Sequence, residues 1–379
     1  MNIAILGFGT VGVGVYDLMK SRTDLCVKYV LDLREFPELG SLLTHDVNTI
    51  LSDPEVDTVI EVMGGLHPSF EFVSAALNAG KHVVTANKYL ISTYFRELTA
   101  LATQNGVRCP PRGAAGGGIP WLVNLERAKR VDRITRLGGI MNGTTNFIMD
   151  AMQHRQMEFA DALSQAQALG YAEADPSADI DGWDIQRKLA ISANIAFDCL
   201  LRTEDIPCCG IRNITAEDVQ MLATEGLSCR LLASGQRNEG SVSAYVEPTL
   251  LADGSPEAAV PSNFNLITFT GEAVGRLSFF GQGAGRYPTA CNCVQDCVDI
   301  ANGCGTFYSA AMKHVPVDND AVSHAYYVRT AAPDGWLQHL TRRKMGSGVI
   351  TEPVSVRAMH EWLQQALLRD PGCFIAGLL

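Results

Sequence analysis

No stretch of 18 or more apolar residues runs without interruption by charge, so no membrane-crossing helix is expected. Basic blocks are absent too. Lys and Arg number 30 against 41 Asp and Glu, a formal net charge of −11. That balance argues against nucleic acid or an anionic membrane as the main partner, while leaving room for a phosphorylated ligand in a local pocket. The 11 cysteines show no repeated metal-ligand spacing, and the eight histidines form no pair at helical spacing. No metal site is therefore expected from side chains. The thiols, including Cys291, Cys293 and Cys297 in an apolar helical stretch, read as small free hydrophobes of a reducing cytoplasm. Met1-Asn2-Ile3-Ala4-Ile5-Leu6-Gly7 lacks a basic segment ahead of its apolar run, which makes a poor signal peptide. Glycine, by contrast, is plentiful. The 35 glycines are about 9% of the chain, above the usual ~7%, and glycine marks places where backbone must come close to something.

With 379 residues, 47% of them apolar, the chain is long enough for two or three domains. Over residues 1–130, strand-like runs at 2–6, 26–31, 58–63 and 82–85 alternate with helical patterns. That order predicts a parallel sheet with crossover helices, an α/β domain. From 131 to 290 the order is mixed: strands at 134–140, 242–248 and a pair within 264–280, with helices near 145–153, 158–169, 184–197 and 215–232. This predicts an α+β domain with a mixed sheet. Residues 291–320 are expected to return, as a helix, to the first domain. The tail, 321–379, reads strand, helix, strand, helix, strand.

Gly7-Phe8-Gly9-Thr10-Val11-Gly12 lies between the first strand and the first helix. In that setting the first glycine permits a tight turn and the second lets a pyrophosphate approach the backbone. The third lets helix and strand pack closely. Asp32 follows Gly12 by 20 residues at the end of the second strand, where a carboxylate can bond a ribose hydroxyl. Together these features predict a Rossmann-type dinucleotide-binding domain. Asp32 repels a 2′-phosphate and Arg34 neutralises one, so the pair accommodates either NAD or NADP.

Further residues converge on the carboxyl ends of the strands, where open α/β sheets bind ligands. Gly64 closes one strand. Thr85-Ala86-Asn87-Lys88 closes the next and brings Lys88 to the cleft. Gly116-Gly117-Gly118 offers bare backbone for a ligand or cofactor to approach. Beyond the loop Gly170 to Gly182, Asp184 and Lys188 share one face of an otherwise apolar helix. A buried helix needs partners for its charges. A lysine so placed can stabilise and protonate the oxygen of an aldehyde as hydride reaches its carbon. Lys88 is a second candidate cation, and Glu173 and Asp184 suit the amine of an amino-acid substrate. A catalytically silent dinucleotide-binding sensor would have no need of Lys188 and Asp184 together. A dehydrogenase of another small amino aldehyde would use the same groups.

Taken in order, the blocks Gly7 to Gly12, Thr85 to Lys88, Gly116 to Pro120, Gly139-Ile140-Met141-Asn142-Gly143-Thr144-Thr145-Asn146, Leu169 to Pro176 and Gly281 to Gly285 resemble the homoserine dehydrogenase family, from Gly7 to about Arg329. The resemblance implies reversible, NAD- or NADP-dependent interconversion of L-aspartate 4-semialdehyde and L-homoserine, on the route to threonine and methionine. It implies Lys188 as the proton-transferring lysine, Lys88 as a second active-site lysine, and Glu173 and Asp184 as substrate ligands. Thr144, Tyr171 and Asp179 would line the pocket, and Gly170 and Gly285 would touch the cofactor. It also implies that residues 131–290 form a catalytic domain through which the chain dimerises. Two departures stand out. Arg112-Gly113-Ala114-Ala115 lacks the acid with which family members help hold a monovalent cation, so a guanidinium takes its place. The tail is shorter than the family's full regulatory domain, which leaves a remnant of that module or a lid.

Overall fold

Short apolar runs separated by helices become the parallel sheet that such an order dictates. The computed structural model describes residues 1–110, 112–304 and 312–379. Its first sheet holds β1 (Asn2–Leu6), β2 (Cys26–Leu31), β3 (Leu43–Thr44), β4 (Thr58–Glu61) and β5 (His82–Thr85). The order is β3-β2-β1-β4-β5, with every neighbouring pair parallel. Strand order reverses between β1 and β4, so the crevice beyond their carboxyl ends is where this architecture receives a ligand.

This sheet belongs to a compact unit of Met1–Asp132, Ile191–Arg202 and Gln282–His314. Ile3, Ile5, Val30, Ile60 and Val84 from the strands pack with Val15 and Met19 of helix Thr10–Met19. Ala290, Cys293 and Cys297 of helix Arg286–Ala301 complete that core. Gly14 permits the contact between the two helices, because a Cβ there would lie 2.8 Å from the Arg286 side chain and 3.1 Å from Ala290 Cβ. Of the segment 291–320, residues 305–311 lie outside the described residues.

In chain order the strands continue as β6 (Ile134–Ile140), β7 (Cys199–Leu200), β8 (Leu227–Arg237), β9 (Val242–Ala252), β10 (Phe264–Gly271) and β11 (Gly275–Gln282). Then come β12 (Lys313–His314), β13 (Ser323–Arg329), β14 (Thr341–Met345), β15 (Gly348–Thr351), β16 (Val354–Ser355) and β17 (Phe374–Leu378). β7 and β12 make a small parallel pair in the first unit. The others form a ten-stranded mixed sheet, β11-β10-β6-β8-β9-β17-β13-β15-β14, with β16 on β13. It belongs to a second unit of Arg133–Ala190, Thr203–Gly281 and Val315–Leu379.

The helix expected over 215–232 is shorter than its apolar periodicity suggests. It spans Ala216–Thr224, and Gly226, at φ +71°, ends it. Leu227 to Arg237 instead pair antiparallel with β9 along the full strand, from Leu227↔Ala252 to Arg237↔Val242. A central strand buried on both faces is a continuous apolar run, which local periodicity cannot tell from a buried helix.

Residues 321–379 also hold more strand than expected, because β14 precedes β15. Apart from the short β16, the tail therefore runs β-α-β-β-α-β with order β17-β13-β15-β14, the split βαβ arrangement. It extends the sheet through parallel pairing of β17 on β9, Gly377↔Thr249 and Leu378↔Leu250. A buried polar knot fastens this seam. Glu247 of β9 meets His324 Nε2 at 2.8 Å and His360 Nε2 at 2.9 Å, and accepts from the Tyr326 hydroxyl at 3.1 Å.

Candidate active site

The glycine loop turns as its residue types require. Gly7 has φ +97°, and a Cβ on it would sit 3.0 Å from Met63 Cα. A Cβ on Gly12 would fall 2.1 Å from Gly7 O, so only glycine lets the helix start this close to the strand. Gly9 differs. Among the described residues, its chain neighbours aside, nothing lies within 4 Å of its missing Cβ, and no side chain caps helix Thr10–Met19. Bare backbone, open space and unfilled helix N–H groups fit the pyrophosphate of a dinucleotide. Phe8 N donates to Asp32 Oδ2 at 2.7 Å, tying the loop to the end of β2. Arg34 donates through Nε to Asp32 Oδ1 and through Nη2 to Oδ2, each at 3.0 Å. That ion pair, more than the backbone bonds from Arg34 and Phe8, holds the Asp32 carboxyl well below the ordinary carboxylate range.

Beside this loop sits an acid that the sequence reading missed. Glu61 ends β4 and is fully buried. Its Oε1 accepts from Met63 N at 2.9 Å, Gly64 N at 3.3 Å, Ser69 Oγ at 3.2 Å and Asn87 Nδ2 at 3.4 Å. Its Oε2 accepts from Thr85 Oγ1 at 2.6 Å. One carboxylate thus orders the turn after β4, where Gly64 has φ +81°, and the turn after β5. Its signal was an acid in the otherwise apolar run 58–63. Asn87 Oδ1 caps helix Lys88–Gln104 by accepting from Leu90 N at 3.0 Å, and its Nδ2 donates to Gly65 O at 2.6 Å. Lys88 is half-buried at the first position of that helix. A cation there opposes the helix dipole, so stability alone does not account for it.

The glycine run behaves differently from its sequence reading. Backbone does come close at Gly117, but to the chain itself. A Cβ would stand 2.3 Å from the Gly283 carbonyl carbon, and Gly118 N donates to Gln282 O at 3.0 Å. Asn292 Nδ2 donates to Gly117 O. Gly285, at φ +127°, opens helix Arg286–Ala301 in the same unit. The Arg112 side chain, whose guanidinium is expected in the place of a cation-binding acid, lies outside what the structure describes.

In the second unit the structure brings Asp179, Asp184 and Lys188 together around Asn142. Lys188 Nζ stands 2.7 Å from Asp184 Oδ2 and donates to Met141 O at 2.7 Å. Both side chains are buried, the residues 5% and 4% exposed, so this is not a solvated surface pair. Ile185, Leu189 and Ala190 are fully buried around them on helix Trp183–Phe197. Asn142 Nδ2 donates to Asp179 Oδ1 at 2.7 Å and to Asp184 Oδ2 at 2.9 Å. Burial first, and then the charge of Asp184, push the Asp179 carboxyl above its ordinary range against the pull of Asn142, Lys188 and Thr144. Thr144 Oγ1 donates to Tyr171 O at 2.6 Å, and the Tyr171 ring packs edge-on against Phe147. Glu173 is exposed, as is Gly170 at φ +74°.

A family model described as homoserine dehydrogenase, NAD binding domain, matches residues 7–110, and one described as homoserine dehydrogenase matches residues 120–298. Homoserine dehydrogenase of Bacillus subtilis is 40% identical over 314 residues, 79% of this chain and 72% of that protein. The Pseudomonas aeruginosa enzyme of the same name is 34% identical over 357 residues, 88% of this chain and 82% of that protein. The crystal structure of a homoserine dehydrogenase from Thiobacillus denitrificans superposes with a TM-score of 0.88 at 30% identity, covering 100% of this chain and 98% of that one. A nucleotide-binding loop, a buried lysine–carboxylate pair and these likenesses along nearly the whole sequence agree: the chain belongs to the homoserine dehydrogenase family.

Proposed function

We propose that the chain interconverts L-aspartate 4-semialdehyde and L-homoserine with NAD or NADP, and that Lys188 is the group that moves the proton. The observation that carries this reading is the buried Lys188–Asp184 pair. Gly7 to Gly12, Asp32, Arg34, Gly64, Thr85, Asn87, Lys88, Gly170 and Gly285 would hold the cofactor, which when bound supplies or accepts the hydride. As charge develops on the aldehyde oxygen, the Lys188 ammonium stabilises it and gives it a proton. Asp184 keeps that ammonium charged and aimed. In the reverse direction Lys188 takes the hydroxyl proton. Lys88 adds a second positive charge, and Glu173, Asp179, Thr144 and Tyr171 orient the amino-acid end of the substrate.

The reading extends to a homodimer, supported by exposed apolar residues along the β10–β11 hairpin, Val274, Leu277 and Phe280. It extends also to a cytoplasmic location, supported by 11 cysteines that are all free thiols. The test is homoserine-dependent reduction of NAD and of NADP by the purified chain. Lys188→Ala is expected to lower kcat by ~10²–10⁴-fold and to retain binding of the reduced cofactor, read by its fluorescence. Turnover near that of the unaltered chain would sink the assignment of Lys188.

A further inference from the structure

We infer that Asn142, which the functional reading leaves without a role, is a positioning residue for the reaction: its one side-chain amide fixes two of the active-site carboxylates, Asp179 and Asp184, and, through Asp184, the lysine. The inference rests on the reading of Lys188 and Asp184 as the reacting pair.

Asn142 stands where β6 ends and helix Gly143–Arg155 begins, and it is only 4% exposed. Its orientation is determined from both sides. Oδ1 accepts from Thr145 N at 2.9 Å, the bond of a helix N-cap, and from Thr145 Oγ1 at 3.1 Å. The amide nitrogen must then face the opposite way. There it directs its two protons at two different carboxylates, Asp179 at 2.7 Å and Asp184 at 2.9 Å. An amide nitrogen has two donors, and both are used. Asp184 Oδ2, which receives one of them, is also the atom that meets Lys188 Nζ. The preceding residue, Met141, offers its carbonyl to the same ammonium.

This arrangement addresses a physical problem of the site. Two carboxylates and an ammonium are held close together, Asp184 and Lys188 buried and Asp179 partly so, and the carboxylates repel one another. A neutral donor between them steadies both without adding a charge that would compete with Lys188. It also fixes which carboxylate oxygen faces the lysine, and so where the lysine points. Because the same side chain caps a helix, that placement is tied to a rigid element.

The dual bonding permits a substitution that separates the two roles. Asn142→Asp keeps an oxygen for the cap, since Asp caps helices about as well as Asn, but replaces the shared donor with an acceptor carrying charge. The expected result is a fall in kcat of tenfold or more with unchanged binding of the reduced cofactor by fluorescence, in a folded variant whose melting temperature is lowered by the third carboxylate. The pH profile of kcat/KM is expected to move to higher pH, because an added negative charge raises the pKa of every neighbouring group. If Asn142→Asp does not fold, Asn142→Ser carries the same comparison on kcat and cofactor binding, with a capping oxygen and no amide donors. An active unaltered chain whose folded variant keeps kcat and the pH profile would overturn the role of Asn142 alone. No homoserine-dependent turnover by the unaltered chain with either cofactor would overturn the functional reading, and the role of Asn142 with it.

Discussion

For single residues, the proposed reading of cofactor choice rests on one ion pair. Asp32 is the group that would repel a 2′-phosphate, and Arg34 covers both of its oxygens while also reaching Phe8 O at 3.2 Å. With the arginine in place the negative charge at the end of β2 is locally balanced, and a guanidinium stands ready for a phosphate. Removing it leaves an ionised Asp32 uncompensated. Arg34→Ala is therefore expected to raise KM for NADP by about tenfold and KM for NAD by less, as each tenfold corresponds to ~1.4 kcal/mol of lost interaction. Steady-state kinetics with each cofactor would check it, and equal effects would show that Arg34 does not read the phosphate. Because Asp32 is held well below the ordinary carboxylate range, its charge is present above that depressed value. The preference between cofactors should therefore not titrate through Asp32 near neutral pH.

Helix Arg286–Ala301 shows what an element adds to its residues. Cys291, Cys293 and Cys297 look alike in sequence, yet the helix turns Cys293 and Cys297 into the core and leaves Cys291 exposed. Burial also raises thiol pKa values and so suppresses the reactive thiolate. It pushes Cys109, in the same unit, to about 12. Brief alkylation of the native chain, mapped by mass spectrometry, is expected to mark Cys26, Cys291 and Cys304, the exposed thiols, well before Cys293 and Cys297. Labelling of Cys293 or Cys297 as fast as Cys291 would contradict this packing. The same contrast separates helix Ala216–Thr224 from β8, which share an apolar periodicity and differ in their partners.

On the scale of the whole molecule, the tail is continuous with the sheet it extends, and Glu247 is the buried point of attachment. Burial raises the carboxyl's pKa. Hydrogen bonds from His324 and His360, and their charge, outweigh that and hold it below its ordinary value. A carboxyl depressed on folding contributes stability above its unfolded pKa, ~4.3, and that contribution is lost as pH falls through the lower folded value. Glu247→Gln removes the charge and leaves one histidine facing an amide donor, a loss of about 1–3 kcal/mol for a buried hydrogen-bonded group. Its melting temperature is expected to fall by several degrees at neutral pH, by less in acid, with earlier proteolysis within 321–379. Thermal denaturation across pH and limited proteolysis would decide it. Unchanged melting and cleavage would show that the knot does not fasten the tail.

The features legible in the residues alone are local. The loop Gly7 to Gly12 between strand and helix, the acid at the end of β2, and Asp184 with Lys188 four residues apart each depend on neighbours within one turn or one strand. Spacing and residue type were enough to read them. Other features needed the fold, because they depend on residues far apart in the chain. Glu61 is a lone acid until Thr85 and Asn87 close on it. Asn142 is a helix cap until Asp179 and Asp184 arrive 37 and 42 residues later. β8 is a strand because β9 pairs with it, and the tail joins the sheet because β17 lies beside β9. Glycine belongs to both. Gly12 was legible from the loop motif, whereas the purpose of Gly117 appeared only when Gly283 came within van der Waals range. Periodicity records which face of an element is buried and carries no record of its partner, so pairing across long sequence separation is set by packing.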